Sequence, residues 1–200
     1  NCAGKHLGMI SGCLSNKMKT NGYLDINHPY QKLIRNSLEH FSQFKIKKIQ
    51  MGIDGCSAPQ YALPLKNIAD SMINLLKEYY GRNKYSYEIK ILLQSIAKYP
   101  ELTGSSSIYP SQLMKATKGK MFSKGGAEGV LLFAHKEKKL GGVIKVEDGN
   151  ERALPSVANE IFKRLNILEK NELKYLSKWT NENIYNHAKE QIGQIYTEIK

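Results

Sequence analysis

The chain is 200 residues long, 41% hydrophobic and 24% charged, with a formal net charge of +12. That is enough chain for a single domain over residues 1–200 with a buried core, and its longest apolar run, Val130–Ala134, excludes a membrane-spanning helix. The positive charge is carried by 26 Lys against 4 Arg spread along the chain, which argues against specific nucleic-acid recognition, where Arg supplies the bidentate contacts. Three cysteines do not make a disulfide framework, and the odd count points to a reducing, cytoplasmic setting.

Residues 4–14 read as a helix with Gly4, Gly8, Ser11 and Gly12 on it; glycine weakens a helix, so these positions point to close packing or to backbone near a ligand. His28-Pro29 opens a second helix with Ile34, Leu38 and Phe41 as its apolar stripe. A short strand over 49–53 leads into the small-residue loop Asp54–Pro59. Helical periodicity is clearest over 65–80, where Ile68, Met72, Leu75, Leu76 and Tyr79 recur. A further helix spans 85–97, and Ser111 reads as the cap of a helix over 112–117. Residues 120–129 are polar and glycine-rich. Residues 130–135 and 140–146 read as an antiparallel hairpin around a lysine-rich turn. Helices over 152–165 and 170–179 and a last strand within 192–199 complete an α+β order, helices packed on an antiparallel sheet.

Two constellations carry chemistry. Cys2, Lys5 and His6, with Asp54 and Cys56, offer thiolate and nitrogen donors; the reading is open between a metal site and buried thiols beside a surface lysine. A lysine ligates only when neutral, a state that burial or a nearby cation favours. Lys124-Gly125-Gly126 precedes a strand. Its glycines let backbone approach a bound group, its N–H groups suit an oxyanion, and the lysine suits proton transfer, against a plain glycine-rich turn with a solvated lysine. It is a loose echo of the K-T-G element of serine acyl enzymes, and no phosphate-loop pattern is present. Asp148 and Glu151 read as turn and helix-start residues; His28, His40, His135 and His187 make no spacing that demands a role.

Asn1-Cys2-Ala3-Gly4-Lys5-His6 resembles the N-C-S-G-K-H element of a bacterial L-asparaginase family, L-asparaginase II, whose fold is serine β-lactamase/penicillin-binding-protein-like. His28-Pro29-Tyr30-Gln31 resembles its H-P-x-Q. Residues 51–59, with Tyr61–Leu65, resemble its G-I-D-G-C-G-A-P loop. Lys124–Val130 resembles K-T/G-G-A-E-G-V, and Lys145, Asp148-Gly149 and Arg152-Ala153 resemble K-x-x-D-G-x-x-R-A. The resemblance implies hydrolysis of the L-asparagine side-chain amide to L-aspartate and ammonia by a serine–lysine mechanism. It implies Cys2, Lys5 and Cys56 as zinc ligands, and His6 and Asp54 beside metal and substrate. It makes Lys124 a catalytic lysine with Gly125 and Gly126 at the substrate, and a homodimer possible. The family's serine nucleophile has no counterpart here: Ser42-Gln43-Phe44-Lys45 is formally S-x-x-K but falls after the Cys-x-x-Lys element. The expectation is therefore the C-terminal two-thirds of an enzyme with its N-terminal part missing and the nucleophile upstream, inactive alone. Gly125 stands where the family has Thr, and Ser105-Ser106-Ser107 where an Arg is expected. A related glutaminase or peptide hydrolase, or a non-catalytic basic binding module, are the alternatives.

Overall fold

The computed structural model describes residues 2–47 and 50–199. The chain mixes helices with small antiparallel sheets, and its contacts group into two compact units, Asn1–Asn74 and Leu75–Lys200.

In the first unit, α1 (Cys2–Ser15) buries Met9 and Cys13. Of its three glycines, only Gly12 is needed for packing among the described residues. A Cβ there would lie 1.9 Å from the Tyr30 hydroxyl, whereas Gly4 and Gly8 face nothing within 4 Å. Tyr30 belongs to α2 (Pro29–Ser42), which opens with Pro at its first position, where the missing N–H costs nothing. His28 is its cap: Nδ1 accepts from the Tyr30 N–H at 3.1 Å while Nε2 donates to the Lys19 carbonyl at 2.9 Å. That pair of bonds fixes the tautomer and gives His28 a structural role. Gln31 is buried, its amide donating to the Tyr23 carbonyl at 2.8 Å. Helix α2 ends at Gln43 in the left-handed region, φ 51°.

The strand expected over 49–53 is β1 (Met51–Ile53); Ile49 lies outside the described residues. It pairs antiparallel with a strand not anticipated, β2 (Pro59–Tyr61), in the register Met51↔Tyr61 and Ile53↔Pro59. Helix α3 (Leu65–Tyr80) follows with the bounds its periodicity implies, and from Leu75 on it belongs to the second unit. Its Asn67 and Asn74 amides donate to the Ser42 and Phe41 carbonyls at 3.0 and 2.7 Å, satisfying carbonyls that the end of α2 leaves free.

The second unit takes in α4 (Ser86–Lys98) and α5 (Tyr109–Ala116). Helix α5 starts before Ser111, so Ser111 is not its cap. The hydroxyl is fully buried and donates to the Pro100 carbonyl at 3.1 Å. The polar, glycine-rich stretch after it contains a strand, β3 (Met121–Gly126). With β4 (Val130–His135) and β5 (Leu140–Lys145) it forms a three-stranded antiparallel meander in the order β3-β4-β5. Alternation puts Met121, Ser123, Leu131 and Phe133 on one face and Phe122, Lys124 and Leu132 on the other. The first face packs on α5 and on α6 (Leu154–Arg164) in a cluster that includes Leu113, Leu154, Ala158 and Phe162. Phe133 meets Phe162 edge to face at 4.9 Å, and Gly142 leaves room for the Phe133 ring. Tyr109 donates to Asn159 at 2.8 Å, burial holding its phenol well above the usual range. The expected helix over 170–179 is α7 (Lys170–Tyr175) followed by a 3-10 turn, Ser177–Trp179. The last strand has a partner: β6 (Glu182–Tyr185) pairs with β7 (Gln191–Ile195) as a separate hairpin. No described helix is long and apolar enough to cross a membrane.

Candidate active site

In the first unit α1 and the β1–β2 loop converge. Cys2 and Lys5, three residues apart, project from the same side of α1. Asp54 and Cys56 come from the loop. The sulfurs of Cys2 and Cys56 are joined as a disulfide, their Cα atoms 6.1 Å apart, while Cys13 is a buried free thiol. The sequence did not foretell this one cross-link.

Asp54 organises the loop. Its Oδ1 accepts from the backbone N–H of Cys56 at 2.8 Å and of Ala58 at 3.0 Å. Its Oδ2 accepts from the Gln60 amide at 3.0 Å and from the Lys5 ammonium, with which it forms an ion pair. The Lys5 hydrogen bond, then the loop N–H groups, hold the Asp54 carboxyl well below the ordinary carboxylate range. This arrangement leaves Ser57 at φ 65° and buries Ala58.

His6 joins a different partner. Its Nδ1 is hydrogen-bonded to the Tyr23 hydroxyl at 2.6 Å, the rings edge to face with centroids 5.8 Å apart. Nothing in the sequence pattern marks Tyr23.

Lys124, Gly125 and Gly126 belong to the second unit, at the end of β3. Lys124 Nζ donates to the Gly125 carbonyl at 2.6 Å. Burial pushes the Lys124 ammonium below its usual pKa, opposed by the Glu151 carboxylate, and so favours the neutral amine that a proton acceptor needs. The turn after Lys124 packs on the turn after β5. Val146 N–H donates to the Gly129 carbonyl at 2.8 Å, and a Cβ on Gly149 would meet the Glu128 carboxylate at 2.5 Å. Both glycines have positive φ, 66° and 79°, so the two motifs read in the sequence sit against each other through backbone that only glycine fits easily. Asp148 accepts from the Asn150 N–H at 2.9 Å and acts as a turn residue.

Ser42 and Lys45 do not form a catalytic pair. Ser42 is fully buried and accepts from the Phe44 N–H at 3.3 Å, while Lys45 pairs with Glu39 at 2.6 Å.

The model of the L-asparaginase II family matches residues 1–197, and the chain belongs to that family. No curated protein matches it.

The family resemblance raises the question of a metal. Among the described residues no three His, Cys, Asp or Glu side chains gather as a metal site. The donors that the family resemblance implies for a metal between α1 and the loop are Cys2 and Cys56 as thiolates and Lys5. Two sulfurs and a nitrogen on neighbouring backbone suit zinc. They become available when the disulfide is reduced and Lys5 leaves Asp54 without its proton.

Proposed function

We propose that this protein hydrolyses the side-chain amide of L-asparagine to L-aspartate and ammonia by a serine–lysine mechanism. A serine oxygen attacks the amide carbonyl, the carbon–nitrogen bond breaks with proton delivery to the leaving ammonia, and water then cleaves the acyl ester. In this reading the nucleophile is a serine outside residues 1–200. Lys124, half-buried and depressed in pKa, moves the proton at its Nζ. The backbone of Gly125 and Gly126 approaches the substrate closely because neither carries a side chain. In the first unit, His6 and Asp54 are the substrate residues that the family resemblance implies, and reduced Cys2 and Cys56 with neutral Lys5 would hold zinc. Two thiolates would offset the charge of a bound zinc, so its contribution there would be to hold α1 and the loop together.

The observation that carries the reading is the convergence of Cys2, Lys5, Asp54 and Cys56 in a chain matched by the asparaginase family model almost end to end. Ammonia release from asparagine by the intact protein tests it. Lys124→Ala is expected to lower kcat about a thousandfold, and the exposed Lys174→Ala to leave it unchanged. Full activity in Lys124→Ala removes that lysine from the mechanism. For the metal, zinc content measured under reducing conditions is expected to fall in both Cys2→Ser and Cys56→Ser. Equal zinc in all three proteins, or none in the parent, sinks that assignment.

A further inference from the structure

The three-stranded sheet has a second end, where β3 begins and β4 stops. There a cleft of about 290 Å³ is lined by Tyr79 and Tyr80 from α3, Lys118 and Lys120 from the turn after α5, and Lys136 and Glu137 from the β4–β5 turn. These lysines are set on fixed backbone. Lys118 and Gly119 turn through positive φ, 49° and 73°, held by N–H bonds to the Lys115 and Met114 carbonyls at 3.0 and 2.9 Å. A Cβ on Gly119 would lie 2.7 Å from the Ala97 side chain, so the turn is pressed on α4. The Lys136 N–H donates to the Lys120 carbonyl at 2.9 Å, which keeps these two residues side by side.

The cations are not evenly neutralised. Lys120 is paired with Glu169 at 2.9 Å and Glu137 at 3.7 Å. Lys118 and Lys136 have no carboxylate within 4.0 Å among the described residues. Lys136 lies over the Tyr79 ring, 5.5 Å from its centroid, and burial pulls its pKa down. The Glu137 carboxylate acts on Lys136 from a distance and partly offsets the effect of burial, but forms no ion pair with it, so this half-buried ammonium keeps its capacity for an anion brought from outside. The tyrosines supply a second property. Their rings stand at 89° with centroids 5.0 Å apart; Tyr80 is 52% exposed and carries the Lys139 ammonium 5.8 Å from its centroid, so a planar partner shares the ring with a further cation.

We propose that this cleft is a binding site for a small phosphorylated ligand bearing a planar ring, of the nucleoside monophosphate class. The phosphate sits between Lys118 and Lys136 and the ring lies against Tyr80. The site is separate in chemistry from the asparaginase reading and stands whether or not that reading holds.

Calorimetric titration of the whole protein with adenosine monophosphate, inorganic phosphate and adenosine tests it. Saturable binding of the monophosphate is expected, with both fragments weaker by about tenfold or more. Lys136→Met, which keeps the alkyl stem on Tyr79, and the exposed Lys118→Ala are each expected to weaken the monophosphate about tenfold. Circular dichroism establishes that both variants are folded, and Lys17→Ala, remote in sequence, is expected to bind as the parent does. No saturable binding, or unchanged affinity in folded Lys136→Met and Lys118→Ala, overturns the site. Adenosine binding as tightly as the monophosphate overturns the phosphate assignment, and inorganic phosphate binding as tightly overturns the role of the ring.

Discussion

The two units hold their candidate site residues by different physics. In the first, the fully or nearly buried apolar residues among those described are few: Met9, Cys13, Ile46, Ala58 and Met72. The positions of Cys2, Lys5 and Cys56 rest on a carboxylate with four donors and on one covalent bond. In the second, Lys124 stands on a strand whose other face is set into a continuous apolar cluster from α5, α6 and the sheet. A site made of polar contacts responds to acid and to reductant. A site backed by packed hydrocarbon responds to lost volume.

The largest effect that would break this contrast is a core truncation. Phe162→Ala removes a fully buried ring in edge contact with Phe133 and is expected to cost the second unit up to about 5 kcal/mol, read by urea unfolding. A cost below 1 kcal/mol would mean that the cluster is not what supports β3. Next in size is reduction of the Cys2–Cys56 bond, which spans a sequence separation of 54. Its loss is expected to cost the first unit about 4 kcal/mol, with thiol titration rising from one to three groups per chain on reduction. Three titratable thiols in unfolded, unreduced protein would show that the bond does not form in solution. The smallest effect is in pH. Because the Asp54 carboxyl is depressed in the folded chain, its stabilisation is complete above the ordinary carboxylate pKa near 3.9 and is lost as pH falls through the lower folded value. Asp54→Asn is expected to flatten that acid limb of the stability profile, and an unchanged limb would remove Asp54 as its source.

The sequence made the long elements visible and hid the short ones. Helix α3 is legible to the residue because its apolar side chains recur over more than four turns. Strand β3 is hidden because Lys124-Gly125-Gly126 has poor strand propensity; pairing with β4 supplies what the local sequence lacks. Strands β2 and β6 are three and four residues long, too short for alternation to register. Within the site, the shared face of Cys2 and Lys5 follows from helical spacing. The meeting of Lys5 with Asp54 joins residues 49 apart; donor chemistry and the family resemblance grouped the two segments, but neither gave the ion pair. The bond between His6 and Tyr23 left no trace in spacing or composition, since a lone tyrosine after a turn carries no pattern. The glycines of α1 signalled contact correctly at Gly12 alone.

Asp54 also bears on how quickly the first site can respond. Three of its four donors, the Cys56 and Ala58 N–H groups and the Gln60 amide, come from its own hairpin and stay in place if Lys5 is drawn away. Exchange of the Lys5 partner then asks for a rotation about side-chain bonds and no loop refolding. Such a step belongs to the picosecond-to-nanosecond range rather than the microsecond range of loop rearrangement. The ordering entropy of the loop is spent during folding, before any ligand arrives.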